Sequence, residues 1–204
     1  MDPLPLLRLP LRDGSPVGLR PLVPSDAGQL LAGFAALSSR SRRLRFLSPL
    51  SHLTPEQVRY LTEIDQETHI AWGAVDLSEA ERPGVGVARM VRLPEASGVA
   101  EFSLTVLDPM QGKGLGSLML ALLVALARLR GIEVLRGYVA RDNTRMTAWL
   151  TRLGARTEQD DLDLVFDLPV DPEHRPPEAD GFARDVERIH RALLDWEHAP
   201  DGDR

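Results

Sequence analysis

A chain of 204 residues with 43% hydrophobic and 26% charged side chains holds enough apolar material for one globular domain and a short appendage. The net charge of −6, from 30 acidic and 24 basic residues, argues against nucleic acid and favours a cationic partner. There is no cysteine, which excludes disulfides, thiolate metal centres and a cysteine nucleophile. No stretch reaches the ~18 apolar residues of a membrane helix. The start, Met1-Asp-Pro-Leu-Pro, lacks a basic leader and a small-residue cleavage site, so the cytoplasm is expected.

Residues 1–13 read as an N-terminal extension. Val17–Leu22 predicts a first strand, and Pro24-Ser25-Asp26 then offers a cap and an acidic first turn for a helix through Leu37. Ser38–Phe46 is arginine-rich and predicts a short helix, with Arg40, Arg42, Arg43 and Arg45 as a solvated face or a site for a phosphate or an acidic partner. Thr54-Pro55-Glu56-Gln57 places a cap, a proline at the first helical position and a reciprocal Gln, which predicts a helix through Ile64. His69–Leu77, Gly84–Leu93 and Val99–Leu107 read as strands. The last sets Phe102, Leu104 and Val106 against Glu101, Ser103 and Thr105, and the turns at Arg82-Pro83-Gly84 and Pro94–Gly98 suit antiparallel hairpins.

Ser117–Arg130 is apolar nearly all round, as a helix buried against a sheet must be, and Gly131 supplies its C-terminal stop. Val134–Ala140 predicts a strand, Asn143 caps a helix through Leu153 that Gly154 closes, and Leu162–Leu168 predicts a final strand. An α/β architecture follows: a mixed sheet with an antiparallel meander, one parallel crossover and helices on both faces, over residues 14–168. Residues 169–204 comprise a proline-rich acidic linker, Asp171–Glu178, and a helix over Asp180–Glu197. The stripe Phe182, Val186, Ile189, Leu193 and Trp196 on that helix must cover something, its own domain in preference to a second subunit.

The most informative segment is Val106-Leu-Asp-Pro-Met-Gln111-Gly-Lys-Gly114-Leu-Gly116, a strand end and a glycine-rich turn opening the apolar helix. Free amides at a helix start, with the helix dipole behind them, make an anion site. A P-loop needs Gly-Lys-[Ser/Thr], whereas Gly114 follows Lys113. A Rossmann fingerprint needs a different glycine spacing and a ribose-binding acid ~20 residues on, for which Glu133 is a poor match. Lys113 is the sole lysine of the chain and sits in this loop.

Gln111, Gly114 and Gly116 resemble the [Gln/Arg]-x-x-Gly-x-[Gly/Ala] loop of the GNAT acetyltransferases, which binds the pyrophosphate of acetyl-coenzyme A. Asn143…Leu153-Gly154-Ala155 is similar to the Asn…Leu-Gly-Phe close of that family's last helix. The two marks stand in the right order, about thirty residues apart as a crossover demands. Ala100-Glu101-Phe102-Ser103 resembles the Ala-Glu-Val-Ala stretch of bacterial protein-lysine acetyltransferases, whose Glu is the proposed base.

The resemblance implies a GNAT fold and direct transfer of an acetyl group from acetyl-CoA to an amine, with no metal. Glu101 would be the general base, its pKa raised by partial burial on the strand. Thr105 and Val106 would lie along the pantetheine, with the Val106 amide facing the thioester carbonyl where the strands splay. Gln111, Gly112, Lys113, Gly114, Leu115, Gly116 and Ser117 would hold the pyrophosphate. Asn143 would either bond the cofactor or cap its helix. Leu150, with Trp149 beside it, stands where many members carry a Tyr acid, and Tyr60 and Tyr138 are possible substitutes. His52, His69, His174, His190 and His198 show no metal-ligand spacing. The acceptor would be a protein lysine or a small amine, the protein a monomer or homodimer, with no membrane and no accompanying cyclic-nucleotide domain. The competing readings are a module that holds coenzyme A without turnover and a nucleotide-binding oxidoreductase.

Overall fold

The computed structural model describes residues 6–96, 98–160, 163–171, 173 and 180–197. Residues 1–5 of the expected extension, Leu162, most of the expected linker, His174 and His198 lie outside the described residues. In chain order the strands are β1 (Leu7–Pro10), β2 (Pro16–Pro21), β3 (His69–Asp76), β4 (Gly84–Arg92), β5 (Val99–Val106), β6 (Val134–Ala140), β7 (Arg156–Asp160) and β8 (Asp163–Pro169). The helices are α1 (Ala27–Ala36), α2 (Ser39–Phe46), α3 (Pro55–Thr62), α4 (Leu115–Leu129), α5 (Thr144–Arg152) and α6 (Asp180–Glu197). Short 3-10 turns at Pro24–Asp26 and Asp108–Met110 precede α1 and the glycine loop.

The strands form one sheet in the order β1-β2-β3-β4-β5-β6-β8-β7. Every described pairing is antiparallel except β5–β6, the crossover that α4 completes. Two strands were not expected from the sequence, and both are edges. β1, within the stretch read as an extension, pairs with β2 and carries Pro10, which an edge strand tolerates. β7 is Arg-Thr-Glu-Gln-Asp, exposed throughout, and its charges guard the other edge.

The caps form as the sequence implies. Thr54 Oγ1 accepts from the Gln57 amide at 3.2 Å while Gln57 Oε1 accepts from the Thr54 amide at 2.8 Å. Gly131, at φ +64°, ends α4 and lets the Ile132 amide reach back to the Ala127 carbonyl at 2.9 Å. α4 begins two residues earlier than expected, at Leu115, because Gly114 takes up a left-handed φ of +97° as its N-cap.

The main core lies on one face of the sheet. α4 packs on β4 and β5 with one side and on α6 with the other, which is why it is apolar all round. Val186, Ile189 and Leu193 of α6 are buried on it, and Arg128 ties the two helices by pairing with Glu187 at 2.9 Å. The tail helix thus docks on its own domain. On the opposite face α1 packs on β4 and α2 on β5, with Phe34, Leu53 and Leu61 forming a second, smaller cluster. Ile189→Ala should lower the unfolding free energy by about 2–5 kcal/mol, the usual cost of a buried Ile→Ala change, measured by urea denaturation.

Candidate functional site

Sheet register builds the site. β5 pairs with β4 from Ala100 to Val106 but with β6 only over Val99–Glu101. Beyond Glu101 opposite Arg136 the two strands part, and the Phe102 ring lies against Gly137, 2.6 Å from where a Cβ would stand. The Leu107 amide bonds the Val85 carbonyl. The antiparallel alternation from that pair turns the peptide groups of Leu104 and Val106 away from β4 and into the gap. Gln111 Nε2 reaches back and donates to the Val106 carbonyl at 3.2 Å.

β5 then runs through the 3-10 turn into the glycine loop. Gly112 and Gly114 have φ of +83° and +97°, conformations that exclude ordinary side chains. The Gln111 amide is used by the Asp108 carbonyl at 3.2 Å. The amides of Gly112 through Ser117 make no backbone hydrogen bond among the described residues, and the helical ladder resumes at Leu118, which bonds the Gly114 carbonyl. Cations surround these amides. Lys113 Nζ rests 3.8 Å from Met110 Sδ, and Arg145 of α5 comes within 3.9 Å of where a Gly112 Cβ would sit. Arg12, from the β1–β2 turn, lies across Gly114 at 3.0 Å from its missing Cβ, with its amide bonded to the Lys113 carbonyl. Arg12 and Arg145 gave no motif signal; tertiary structure brings them here.

Glu101 is exposed, on the sheet face toward α1–α3. This corrects the expectation of a partly buried carboxylate: the parting of β5 from β6 leaves the polar face open beside it. Cross-strand register puts Ser103, Thr105, Val87, Arg89 and Val91 on the same face, with Arg136 of β6 directly opposite Glu101 and held by Asp167 at 2.7 Å. Tyr138, partly exposed, follows Arg136 by two residues on that face, while Tyr60 of α3 stacks near the His69 ring at a centroid distance of 5.0 Å. Leu150 is fully buried in the core and Trp149 packs against it. Asn143 Oδ1 accepts from the Met146 amide at 3.3 Å and so caps α5.

The arginine run is not a uniform solvated face. Arg42 and Arg45 lie over the rings of Phe34 and Phe46, and Arg45 Nε donates to Thr105 Oγ1 at 3.0 Å. Arg43 pairs with Asp142 in the loop after β6. The α2 cap is tied to the loop entry, since Asp108 accepts from the Ser38 amide at 2.9 Å and from Ser41 Oγ at 2.6 Å. The Ser41 bond above all holds the Asp108 carboxyl below its ordinary pKa. α2 thus bridges the glycine loop and the β6–α5 loop.

Arg89 is buried at 4% exposure; Nη2 donates to the Leu61 carbonyl at 2.7 Å and Nη1 contacts His69 Nε2. Burial and then the adjacent guanidinium push His69 from 6.5 down to about 4, against a weaker pull from Asp65. Sequence reasoning passed over this pair; its one signal was an arginine alternating with Val87 and Val91 on a strand's inward face.

Residues 17–156 match the family described as "Acetyltransferase (GNAT) domain". The chain belongs to that family. It is 34% identical over 182 residues to the acetyltransferase Pat of Mycolicibacterium smegmatis, covering 87% of this chain and 54% of Pat, so it spans about half of that relative's length. The solved GNAT domain of S. lividans PAT superposes with a TM-score of 0.74 at 23% identity, over 80% of this chain and 96% of that one. The Salmonella typhimurium protein yncA, solved with its cofactor acetyl-CoA, shares the fold at a TM-score of 0.61 and 16% identity, over 78% of this chain and 97% of its own.

Unfolded His69 takes a proton near 6.5, whereas the folded side chain resists until about 4. Stability contributed by neutral His69 is therefore whole above pH 6.5 and declines as pH falls toward 4. Urea midpoints across this range should fall with pH, and His69→Gln should flatten that part of the slope.

Proposed function

We propose that this chain is an acetyl-CoA-dependent N-acetyltransferase that passes an acetyl group to a primary amine by direct attack. The observation that carries the reading is the parting of β5 from β6 immediately after Glu101, leading to a loop whose amides from Gly112 to Ser117 have no backbone partner among the described residues. These residues fit a diphosphate bound by main-chain N–H groups and by Lys113, with the α4 dipole favouring its charge. Gln111, Leu115 and Gly116 complete that cradle. Acetyl-CoA supplies an acyl group on a thioester whose sulfur is a tolerable leaving group near neutral pH.

Each residue then has one task. Thr105 and Val106 offer a strand edge along which the pantetheine arm lies, by main chain, since the Thr105 hydroxyl is already bonded to Arg45. The Val106 amide, on the edge away from β4, donates to the carbonyl oxygen as charge gathers there; such a donor is worth about 10²–10³ in rate. Glu101 receives the amine proton, directly or through a water, and its exposure gives the amine access. The C–N bond forms, the C–S bond breaks, and the electron pair leaves on sulfur, which takes up a proton. Tyr138, on the same face beside the gap, is our choice of donor for that proton in place of the buried Leu150. Asn143 acts through its cap, which fixes the start of α5 beside the loop. The reaction so described uses no metal, and we place it in the cytoplasm.

The acceptor we favour is a protein lysine, on the resemblance around Glu101 and the similarity to Pat; a small amine comes next. The second reading, a coenzyme A-binding module without turnover, is favoured by Leu150 alone. Thiol release from acetyl-CoA with a panel of amines separates them. Glu101→Gln should lower kcat by about 10²–10⁴-fold with coenzyme A binding retained. Gly114→Val should abolish the rise in melting temperature that coenzyme A gives the parent. Tight coenzyme A binding with no turnover on any amine would favour the module.

A further inference from the structure

Away from the glycine loop, a cavity of about 90 Å³ lies between α1–α3 and strands β3–β5. Its walls are apolar, with Leu22, Leu30, Phe34, Leu53, Leu61 and Val87 among them, and Thr105 forms the side next to the acyl-transfer gap. Three arginines line it; Arg20 is paired with Asp26, which leaves the guanidinium groups of Arg45 and Arg89. Among the described residues neither is ion-paired to a carboxylate. The one carboxylate in the lining, Asp26, is taken: both its oxygens bond Arg20, at 2.6 and 2.7 Å, and one also accepts from the Val23 amide. Glu101 is near enough to favour the charge on Arg45 but makes no ion pair with it.

The arginines' own bonds leave capacity unused. Arg45 spends Nε on Thr105. Arg89 spends its terminal nitrogens on His69 and the Leu61 carbonyl, while its Nε is buried with no partner. A buried guanidinium without an anion is costly, and the half-buried Arg45 facing the same apolar space further disfavours the charge on Arg89. A planar carboxylate answers the fork geometry of a guanidinium, and the apolar walls suit a short hydrocarbon carrying it. The volume accommodates several heavy atoms.

We propose that this cavity is a receptor for a short aliphatic carboxylate, held by Arg45 and Arg89, that arrives as the far end of a transfer substrate. The receptor stands on its own geometry; its use in transfer rests on the acetyltransferase reading. Two sources share the chemistry: the distal carboxylate of a dicarboxylic acyl donor, such as a succinyl thioester, and the carboxylate of an amino-acid acceptor. In both, the C–S bond breaks and the C–N bond forms as in acetyl transfer, and the carboxylate is unchanged.

The test uses the full chain and has two parts. In thermal denaturation at constant ionic strength, millimolar butyrate should raise the melting temperature and butyramide should not. The shift should vanish in Arg45→Gln. Arg89→Lys, which keeps the charge but not Nε, should weaken it, and circular dichroism checks that both variants fold. Kinetically, succinyl-CoA is set against butyryl-CoA with one amine, and 4-aminobutyrate against butylamine with acetyl-CoA. One of these arms should favour the carboxylate by about ten-fold or more in kcat/KM, expressed in KM and lost in Arg45→Gln; the arm that responds names the source. Absence of a butyrate shift, or a shift that survives Arg45→Gln, overturns the receptor. If no amine is acetylated at all, the acetyltransferase reading fails while the butyrate measurement still decides the cavity.

Discussion

The proposed function depends on two neighbouring strands that begin paired and then part. β5 and β6 share only three residue pairs before the Phe102 ring meets Gly137. Each strand stays fully backed on its other side, β5 by β4 and β6 by β8, so the gap has two rigid walls. A gap between backed strands presents backbone N–H and C=O groups that no other strand satisfies; the Val106 carbonyl takes a bond from Gln111, and the rest are open to water or a ligand. The glycine loop at the end of β5 then adds a second set of amides without backbone partners among the described residues, at the start of the helix that forms the core of the domain. One chain segment thus supplies both an extended edge and a run of amides without backbone partners among the described residues.

The wall on the α1–α3 face of β5 is made by cations as well as by apolar packing. α2 is anchored at its start to Asp108, in the middle to Asp142, and at its end to Thr105. Arginine suits this helix because its stem packs on Phe34 and Phe46 while the guanidinium still reaches a polar partner. The same arrangement carries Arg45 inward toward Arg89. α2 therefore lines the cavity with Arg45 and Phe46 and is tied to β5 at Thr105, on the cavity side next to the gap.

The architecture was largely legible because its strongest signals are local. The capping box at Thr54, the Gly131 stop and the all-round apolarity of α4 each state a requirement that the fold then meets. The glycine loop and its amides were equally open to reading. What the sequence concealed was tertiary. β1 and β7 are edge strands whose proline and charges lower strand propensity for the very reason that edges need them. Glu101 alternates with apolar residues as a half-buried side chain would, yet at the last β5–β6 pair it is exposed. Arg12, Arg145 and the Arg89–His69 contact join positions far apart in the chain, which no spacing rule reaches.

The central claim is that the amides from Gly112 to Ser117 and the edge of β5 facing the gap await a ligand. Hydrogen–deuterium exchange of the full chain with and without coenzyme A addresses it residue by residue. Slowed exchange at Gly112–Ser117 together with Leu104 and Val106, with β2 and β3 unchanged, is the result the account requires. Exchange at those amides that ignores saturating coenzyme A would contradict it.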